Sequence, residues 1–290
     1  MLPIKLAYSK IQNAGDLLNE YLFDRVFQVP IVKSTNIWET ELTGIGSFLE
    51  ILFINYDWNG NNLRTIIKKP FMYKNSSECC VTWGTGFIHD YGKKLKGLAR
   101  NNVQLMALRG QKSKELIEKT LNCNISPVLG DAGILTPMLL DGIVYKKYKV
   151  GIIPHYRESE CCELKYVLER YPNIHIIDMR RDVLDVVREI AECEIILSSS
   201  LHGLIIADAF RIPNQRIYFT DAPMGSGFKF DDYYSAHGVE CPPCKVKSFE
   251  DVPSINHIID RYQITDDMVK AMQNDMYDCL MKYLNTRSQR

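Results

Sequence analysis

Three consecutive serines between two apolar segments are the feature of this sequence best suited to chemistry. Ser198, Ser199 and Ser200 end one apolar run, and Leu201 and His202 begin the next. Hydroxyls and unpaired backbone amides at the start of a helix suit an anion, and a histidine in the first turn can donate a proton or bind phosphate. The alternative is a set of serines that cap the helix, followed by a histidine in the core.

A second anion site is indicated by Arg109, which ends an apolar run just before a helical pattern. An arginine beside a helix N-terminus can hold phosphate or carboxylate through its guanidinium and the helix dipole. An ordinary surface ion pair is an equally good interpretation of the local sequence. The pair Gly130-Asp131 follows another apolar run and could hydrogen-bond sugar hydroxyls, with a turn and helix cap as the alternative.

Two further junctions between strand and helix patterns carry residues suited to recognition of a ligand. Asp16 and Asn19 lie three positions apart in the first turn of a predicted helix. Asn13 is the predicted cap of that helix, and capping alone accounts for Asn13 and Asp16 but not for Asn19. Gly84 and Thr85 belong to a Trp-Gly-Thr-Gly run, where glycine allows close approach of a ligand to the backbone or simply a tight turn.

His155 and Lys229 complete the set of candidate binding residues. His155 follows the first apolar run of the second half, where it could meet a ligand or remain structural. Lys229 begins a segment of charged and aromatic residues that suits stacking on carbohydrate, or forms an amphipathic helix. Cys241 and Cys244 have the spacing of a metal or redox pair, but no second pair lies at zinc-site spacing. We therefore interpret them as a structural turn and expect no metal.

Short apolar runs that alternate with helical patterns must position these residues. Strands are predicted at Pro3–Tyr8, Gln104–Leu108, Tyr148–Ile153, Asn173–Asp178, Cys193–Ser198 and Gln215–Phe219, the last of the chain. Helices are predicted at Asp16–Phe27, Ser113–Leu121, Glu158–Tyr171, Asp182–Ala191, His202–Phe210 and Thr265–Leu284. The alternation is least regular at Trp38–Lys69, which contains a predicted surface loop at Asp57–Asn62. The pattern predicts an α/β protein with parallel sheets, whose ligands bind at the carboxyl ends of the strands.

Composition excludes several classes of protein. The chain has 290 residues, of which 46% are hydrophobic and 24% charged, and its 35 basic and 35 acidic residues cancel. These values argue against disorder and coiled coil, and neutrality gives no bulk attraction to nucleic acid. No apolar run is long enough for a membrane span, and we interpret the first residues as a strand rather than a signal peptide. Nine cysteines, two pairs of them adjacent, favour a reducing cytoplasm, and no nucleotide-binding glycine motif is present.

In their order and spacing these junctions resemble the polysaccharide pyruvyl transferase family. The matching pieces are Asn13–Asn19, Trp83–Gly86, Leu108–Gly110 with Ser113, Leu129–Asp131, Ser198–Gly203 and the segment Lys229–Tyr234. The resemblance implies two Rossmann-like parallel-sheet domains that face a cleft, similar to the GT-B glycosyltransferases. It implies transfer of a pyruvyl group from phosphoenolpyruvate to two hydroxyls of a sugar in a cell-surface glycan precursor, giving a cyclic ketal and phosphate.

Under this resemblance each candidate has an expected role. His202 is the expected general acid, since an ordinary histidine has a pKa near 6.5, and Asp16 orients or deprotonates the acceptor. The donor would meet Arg109, Ser198, Ser199, Ser200, Leu201 and Lys229, and the acceptor would meet Asn13, Asn19, Gly84, Thr85, Asp131 and His155. No cofactor beyond the donor substrate is expected.

The two domains are predicted at 1–145, with the acceptor side and Arg109, and at 146–290, with the donor side and a last helix that crosses back. The acceptor would be a glycan or a lipid-linked oligosaccharide. We expect a cytoplasmic protein that visits the membrane surface through the basic stretch Lys146–Lys149, which is otherwise an ordinary solvated surface.

One position departs from the family pattern. Many members have Ser-Arg-Leu-His where this chain has Ser199-Ser200-Leu201-His202, so Ser200 replaces an arginine that often contacts the donor. Lys229 or Arg211 is the expected substitute for that charge. A nucleotide-sugar glycosyltransferase of the same fold and a non-catalytic sugar-binding relative remain the alternatives.

Overall fold

The structure is a computed structural model that describes residues 2–9, 11–36, 38–55, 78–220 and 227–289. The surface loop predicted at Asp57–Asn62 lies outside these residues. The strands in the described ranges are Ile4–Ala7 (β1), Ile31–Lys33 (β2), Leu42–Thr43 (β3), Phe53–Asn55 (β4), Cys80–Thr82 (β5), Leu95–Leu98 (β6), Val103–Gln104 (β7), Ala107–Leu108 (β8), Val128–Leu129 (β9), Tyr148–Ile153 (β10), His175–Ile176 (β11), Cys193–Ser198 (β12), Asn214–Tyr218 (β13) and Cys244–Lys245 (β14).

The helices are Ala14–Tyr21 (α1), Gln111–Leu121 (α2), Leu164–Arg170 (α3), Val183–Ala191 (α4), Leu201–Ala209 (α5), Phe228–Ala236 (α6), Ile255–Arg261 (α7) and Asp266–Ser288 (α8). The helix predicted at Asp16–Phe27 is present, but its second half, Leu22–Phe27, widens into a π-helix that ends at Gln28 in the left-handed conformation. Single 3₁₀ segments occur at Leu49–Leu52, Gly92–Lys94, Ala132–Leu139 and Phe249–Asp251.

A parallel sheet organises the first half of the chain. Its strand order is β2-β1-β3-β5-β7, and all of its neighbours run parallel. The predicted strand Gln104–Leu108 is interrupted, because the Met106 N–H turns back to the Gln104 carbonyl at 3.0 Å. Past the interruption, the Arg109 N–H bonds the Thr85 carbonyl at 3.0 Å, and β8 pairs with β9. The strand ends at this edge therefore place Thr85, Arg109 and Gly130 side by side.

A second parallel sheet organises the other half, in the order β11-β10-β12-β13-β14. Its central strand β12 carries Ile195, Ile196 and Leu197, which are buried on both faces of the sheet. Two parallel α/β sheets confirm the predicted mixed α/β class. The prediction that Gln215–Phe219 is the last strand is wrong, since β14 follows it and extends the sheet beyond β13.

The helix predicted at Glu158–Tyr171 is wrong in its first part, because only Leu164–Arg170 is helical. The Glu158 carboxylate is buried and accepts hydrogen bonds from the N–H groups of Phe219 and Thr220 at 3.1 and 2.8 Å. These hydrogen bonds cover the carboxyl end of β13. They hold the residues around Glu158 in turns rather than in a helix.

Helix α8 returns from the second sheet to the first. Its Met276 carbonyl accepts the indole N–H of Trp83 at 2.9 Å, and Arg287 bonds the Leu2 carbonyl at 2.8 Å and Glu41 at 3.1 Å. One cluster of buried apolar side chains includes residues of both sheets together with Met276. The division into domains at residue 145 stays a prediction.

The basic stretch Lys146–Lys149 is paired within the protein. Lys146 Nζ donates to the Ala191 and Cys193 carbonyls at 2.9 and 2.6 Å, Lys147 pairs with Glu192 at 2.6 Å, and Lys149 pairs with Glu194. Lys147 and Lys149 keep 58% and 63% of their side chains exposed, so contact of this stretch with a membrane surface stays a prediction. Among the described residues, no helix combines the length and the apolar character that crossing a bilayer requires.

Candidate active site

The site forms where the first turns of α1 and α5 meet. A Cβ atom added to Gly15 would lie 2.0 Å from His202 Nδ1, so the histidine ring packs directly on the α1 backbone. Asn13 caps α1 as predicted, accepting the Gly15 N–H at 3.0 Å. This cap fixes the start of α1 against the first turn of α5, and only glycine fits between them.

His202 is the most perturbed histidine of this junction. Its Nε2 atom is buried and has no hydrogen-bond partner among the described residues. Burial and the charges of Lys229 and Arg109 lower the pKa of His202 to about 3. The imidazole is therefore neutral at pH 7, whereas the expected role as general acid assumed an ordinary pKa. An acid role requires a bound anion to offset the two cations.

Lys229 lies in the first turn of α6 and faces the same junction. Within the described part of the chain its ammonium group makes no hydrogen bond or ion pair, and its only ring contact is Phe230 at 5.4 Å. Burial, with the charges of Arg109 and Arg216, lowers the pKa of Lys229 to about 8, against an opposing effect of Asp16. A half-buried cation beside other cations is a favourable place for an anion.

Asp16 and His155 are also influenced by Lys229. Burial raises the pKa of Asp16 to about 6, and the Lys229 charge opposes that rise. Burial, Lys229 and Arg157 lower the pKa of His155 to about 4. The His155 N–H donates to Ser199 Oγ at 2.7 Å, which joins the loop after β10 to the serine turn. Asp16, His155, His202 and Lys229 were each predicted as site residues, and the structure brings them together.

The serine turn is itself largely internal. Ser198 Oγ accepts the Ser200 N–H at 3.0 Å and bonds the Ser200 carbonyl at 2.9 Å, while Leu201 packs in the core. Ser200 precedes α5, but its side chain makes no capping hydrogen bond. The first amides of α5 consequently have no side-chain acceptor and lie beside His202.

Arg109 is buried in an ion pair. Its Nε and Nη2 atoms lie 3.0 Å from Asp232 Oδ2, Nη1 donates to Ser47 Oγ at 3.0 Å, and Nη2 also donates to the Phe87 carbonyl. The side chain is 1% exposed, so the pair is buried rather than at the surface. The guanidinium N–H groups of Arg109 that make these contacts are therefore bound to protein acceptors. The positive charge of Arg109 still reaches the site, because it helps to lower the pKa values of His202 and Lys229.

Most of the predicted acceptor residues support loops at the edge of the first sheet. Asn19 Nδ2 donates to the Asp16 and Ile45 carbonyls at 3.0 and 3.1 Å, and Asn19 Oδ1 accepts the Ile45 N–H at 2.9 Å. Thr85 Oγ1 donates to the Gly46 carbonyl and accepts the Phe48 N–H, both at 3.0 Å.

Gly84 has a φ of +77°, and an added Cβ would lie 2.9 Å from the Ala132 N atom. Glycine is required there by both the backbone conformation and the close packing.

Two buried carboxylates lie near Arg109. Asp131 Oδ1 accepts the Gly133 N–H at 2.9 Å, but its Oδ2 has no partner among the described residues, and burial raises its pKa to about 6. Glu50 Oε2 is similarly unpartnered, and burial raises the pKa of Glu50 to about 7 while Arg109 opposes the rise. Sequence reasoning missed Glu50, because it lies in the irregular stretch where no element was predicted.

Sequence reasoning also missed Asp232 and Arg216. Arg216 lies within β13, stacks over Phe230 at 4.1 Å and pairs with Asp231 at 3.2 Å. The alternative interpretation of Lys229–Tyr234 as an amphipathic helix is confirmed by α6, and it puts Lys229 and Asp232 on one face. Nothing in the local sequence identifies the partners of these two residues. Arg211 pairs with Asp266 at 3.5 Å. It lies beyond the C-terminal end of α5, whereas Ser200 lies before the N-terminal end. The expectation that Arg211 supplies the missing charge is wrong for this reason.

Among the residues that the structure describes, no three histidine, cysteine or acidic side chains are grouped so that they could hold a metal ion. The junction offers one unpaired ammonium group, the neutral imidazoles of His155 and His202, one half-buried carboxylate and the start of α5.

Comparison with known proteins identifies relatives of most of the chain. The profile of the family described as polysaccharide pyruvyl transferase matches residues 13–214. The succinoglycan biosynthesis protein ExoV of Rhizobium meliloti is 26% identical over 81% of this chain. An uncharacterized protein of Acanthamoeba polyphaga mimivirus is 25% identical over 80% of this chain and 74% of its own length. The chain spans 64% of the length of the Rhizobium protein.

Proposed function

The chain belongs to the polysaccharide pyruvyl transferase family, and from this premise we propose that it transfers a pyruvyl group from phosphoenolpyruvate to two hydroxyls of a sugar. The acceptor is a glycan or lipid-linked oligosaccharide unit of a cell-surface polysaccharide. The products are a cyclic pyruvate ketal and inorganic phosphate.

The unpaired ammonium group of Lys229 is the observation that carries this proposal. It lies among Arg109, Asp16 and His202, beside the uncapped start of α5. Phosphoenolpyruvate bears a phosphate and a carboxylate, so it fits an excess of positive charge with free amide donors. The Ser199 and Ser200 amides already bond the Ile153 carbonyl and Ser198 Oγ, so Leu201 and the residues after it in the first turn of α5 present the amides. Lys229 forms the direct ion pair, and Arg109 adds its charge from behind.

The reaction transfers two hydroxyl protons. In the first step one sugar oxygen bonds C2 of the donor, the double-bond electrons take a proton at C3, and the attacking hydroxyl loses its proton. In the second step the bond from C2 to the phosphate oxygen breaks with its electron pair on phosphate. The second sugar hydroxyl then bonds C2 and loses its proton, which phosphate gains.

His202 and Asp16 supply the proton transfers in this scheme. Asp16 has a pKa raised to about 6, so it is ionised at pH 7 and basic enough to accept a hydroxyl proton. The bound donor offsets the charges of Lys229 and Arg109, and this raises the pKa of His202 toward its ordinary value. The imidazolium can then protonate C3.

The acceptor lies on the side of the first sheet in this proposal. Asn13 and Asn19 fix α1 and its facing loop, and Gly84, Thr85 and Asp131 shape the neighbouring strand ends. His155 approaches from the second sheet. These residues set the shape of the acceptor pocket, while His155, whose pKa the Lys229 charge lowers, offers a side chain with hydrogen-bonding capacity.

Thermal unfolding with phosphoenolpyruvate tests the donor directly. A ligand at about 100 times its Kd stabilises the folded state by about 2.7 kcal/mol, so the wild type should melt at a higher temperature with the donor. Lys229→Met should lose this shift, because it removes the ion pair with little change in volume. Lys112→Ala is the matched control, since Lys112 pairs with Asp231 at 3.8 Å on the exposed side of α6.

The transfer itself is read by phosphate release and by the methyl signal of the ketal in NMR spectra of a treated oligosaccharide. A wild type that shows no melting shift with the donor, alone or with oligosaccharide, would contradict the proposal.

A further inference from the structure

Asp232 joins two helices that are far apart in the sequence. Its carboxylate is buried, with Oδ1 accepting the Ser113 N–H at 2.7 Å and Oδ2 accepting the Ser113 hydroxyl at 2.7 Å. Oδ2 also lies 3.0 Å from both Arg109 Nε and Arg109 Nη2. One side chain of α6 therefore binds the first turn of α2 and the arginine just before it.

The start of α2 has no cap of its own. The residue before it is Gly110, which has no side chain to bond the first amides. Ser235 of α6 supplies the acceptor instead, with its Oγ 2.9 Å from the Gln111 N atom and 3.3 Å from the Lys112 N atom. Asp232 and Ser235 are three residues apart, and together they cap α2 from another helix.

Two glycines are required for this contact. A Cβ added to Gly110 would lie 1.6 Å from the Asp232 carbonyl oxygen, and one added to Gly86 would lie 2.5 Å from Arg109 Cζ and 2.7 Å from Asp232 Oδ2. The backbone of the first half therefore fits closely around the Arg109–Asp232 pair. Such close packing fixes the position of α6 along α2 and its rotation about its own axis.

We propose that Asp232 and Ser235 are positioning residues, which together anchor α6 on the start of α2 and thereby hold Lys229 over the first turns of α1 and α5. Lys229 precedes Asp232 by three residues and shares its helix face. The inference rests on the proposed function for the role of Lys229 in binding the donor. The contacts that hold α6 on α2 do not depend on that function. Release of the anchor would move Lys229 away from its charged neighbours, which are Asp16 on α1, Arg109 after β8, His155 after β10, His202 on α5 and Arg216 on β13.

Ser235→Ala is the most informative variant. It removes the acceptor for the Gln111 and Lys112 amides but leaves the buried ion pair intact, so the protein should fold. We expect the KM for phosphoenolpyruvate to rise about fivefold, the factor that corresponds to loss of one helix cap, with a smaller change in kcat. Ser113→Ala removes one hydrogen bond to Asp232 and should act in the same direction. Lys112→Ala is the control, because it removes only the exposed ion pair between the same two helices.

A second readout distinguishes positioning from plain stability. The lysines are methylated with a ¹³C label, and the Lys229 signal is assigned by its loss in Lys229→Gln. In the wild type this signal should titrate near pH 8, and in Ser235→Ala it should titrate at higher pH, toward an ordinary lysine. An unchanged titration and an unchanged KM, with only a lower melting temperature, would overturn the proposal.

The two proposals fail in different ways in this experiment. If the wild type does not bind phosphoenolpyruvate, the proposed function is wrong, and the titration of Lys229 still decides whether α6 is anchored as described. If the wild type binds the donor and Lys229 titrates alike in wild type and Ser235→Ala, the anchor is wrong and the proposed function stands.

Discussion

Three polar side chains at the edge of the first sheet use their donors within the protein, whereas two side-chain nitrogens beside the start of α5 do not. Arg109, Asn19 and Thr85 direct their side-chain donors to carbonyls, a hydroxyl or a carboxylate. His202 Nε2 and Lys229 Nζ have no such partner in the described part of the chain. The first group of side chains thus supports the frame of the protein, and the second keeps hydrogen-bonding capacity for a ligand in the proposed function.

The difference between the two regions has a free-energy basis. A buried polar group without a partner costs about 1–3 kcal/mol, and a bound molecule that supplies the partner removes this cost. Paired groups give stability and have little capacity left for a substrate. Substitutions in the first region should therefore change stability, and those in the second should change activity.

The largest effect is expected at His202. His202→Gln should lower kcat by about 10² to 10⁴-fold, because the proton to C3 is lost, and should leave the melting temperature nearly unchanged. Phosphate release and thermal unfolding measure the two quantities. A large loss of stability with little loss of kcat would place His202 in the frame with Arg109 and remove the distinction between the regions.

Arg109→Met should mainly lower stability, with a free energy of unfolding lower by about 3–5 kcal/mol, because Asp232 keeps its buried charge without a cation. Urea unfolding measures this change. The double variant Arg109→Met with Asp232→Asn should recover part of the loss, since it removes both charges. No recovery in the double variant would show that the pair is not the source of the stability.

Gly15→Ala tests the contact between the regions. The added methyl group would lie 2.0 Å from His202 Nδ1, so α1 and α5 must separate, at a cost of about 1–3 kcal/mol. Unlike His202→Gln and Arg109→Met, Gly15→Ala should lower activity and stability together. Gly238→Ala is a control for a new methyl group, because nothing lies within 4 Å there, although its positive φ adds some strain. Full activity of Gly15→Ala would contradict the close packing of the ring.

The smallest effect is that of pH. Asp16 must lose its proton to act as a base, so kcat/KM should rise as pH increases through about 6. Lys229 must keep its proton to bind the donor, so kcat/KM should fall as pH increases through about 8, with a twofold loss at each midpoint. Lys229→Arg should move the alkaline limb to higher pH. An alkaline limb that stays in place would assign it to another group.

The sequence predicted the second half better than the first. Strands β10 and β12 have the predicted bounds, because each has six residues and ends in a mainly apolar segment that stands out from its surroundings. Strands β3, β8 and β9 have two residues each, too few for any period to show.

The site was predictable only in part. The residue types at Ser198–His202 indicated a ligand locally, and the cap at Asn13 was correct. The pairing of Arg109 with Asp232 spans 123 positions, and the low pKa of His202 depends on Lys229 and Arg109, which lie outside its own strand and helix. No local pattern carries such information.

The contact between Trp83 and Met276 has a consequence for synthesis of the chain. The two residues are 193 positions apart, so about 10 to 40 seconds of translation separate them at ~5–20 residues per second. During this time the first sheet has left the ribosome without the helix that covers Trp83, Gly84 and Gly130. The first half of the nascent chain therefore exposes an apolar face until α8 has been synthesised. We expect chaperones to bind the chain at this stage.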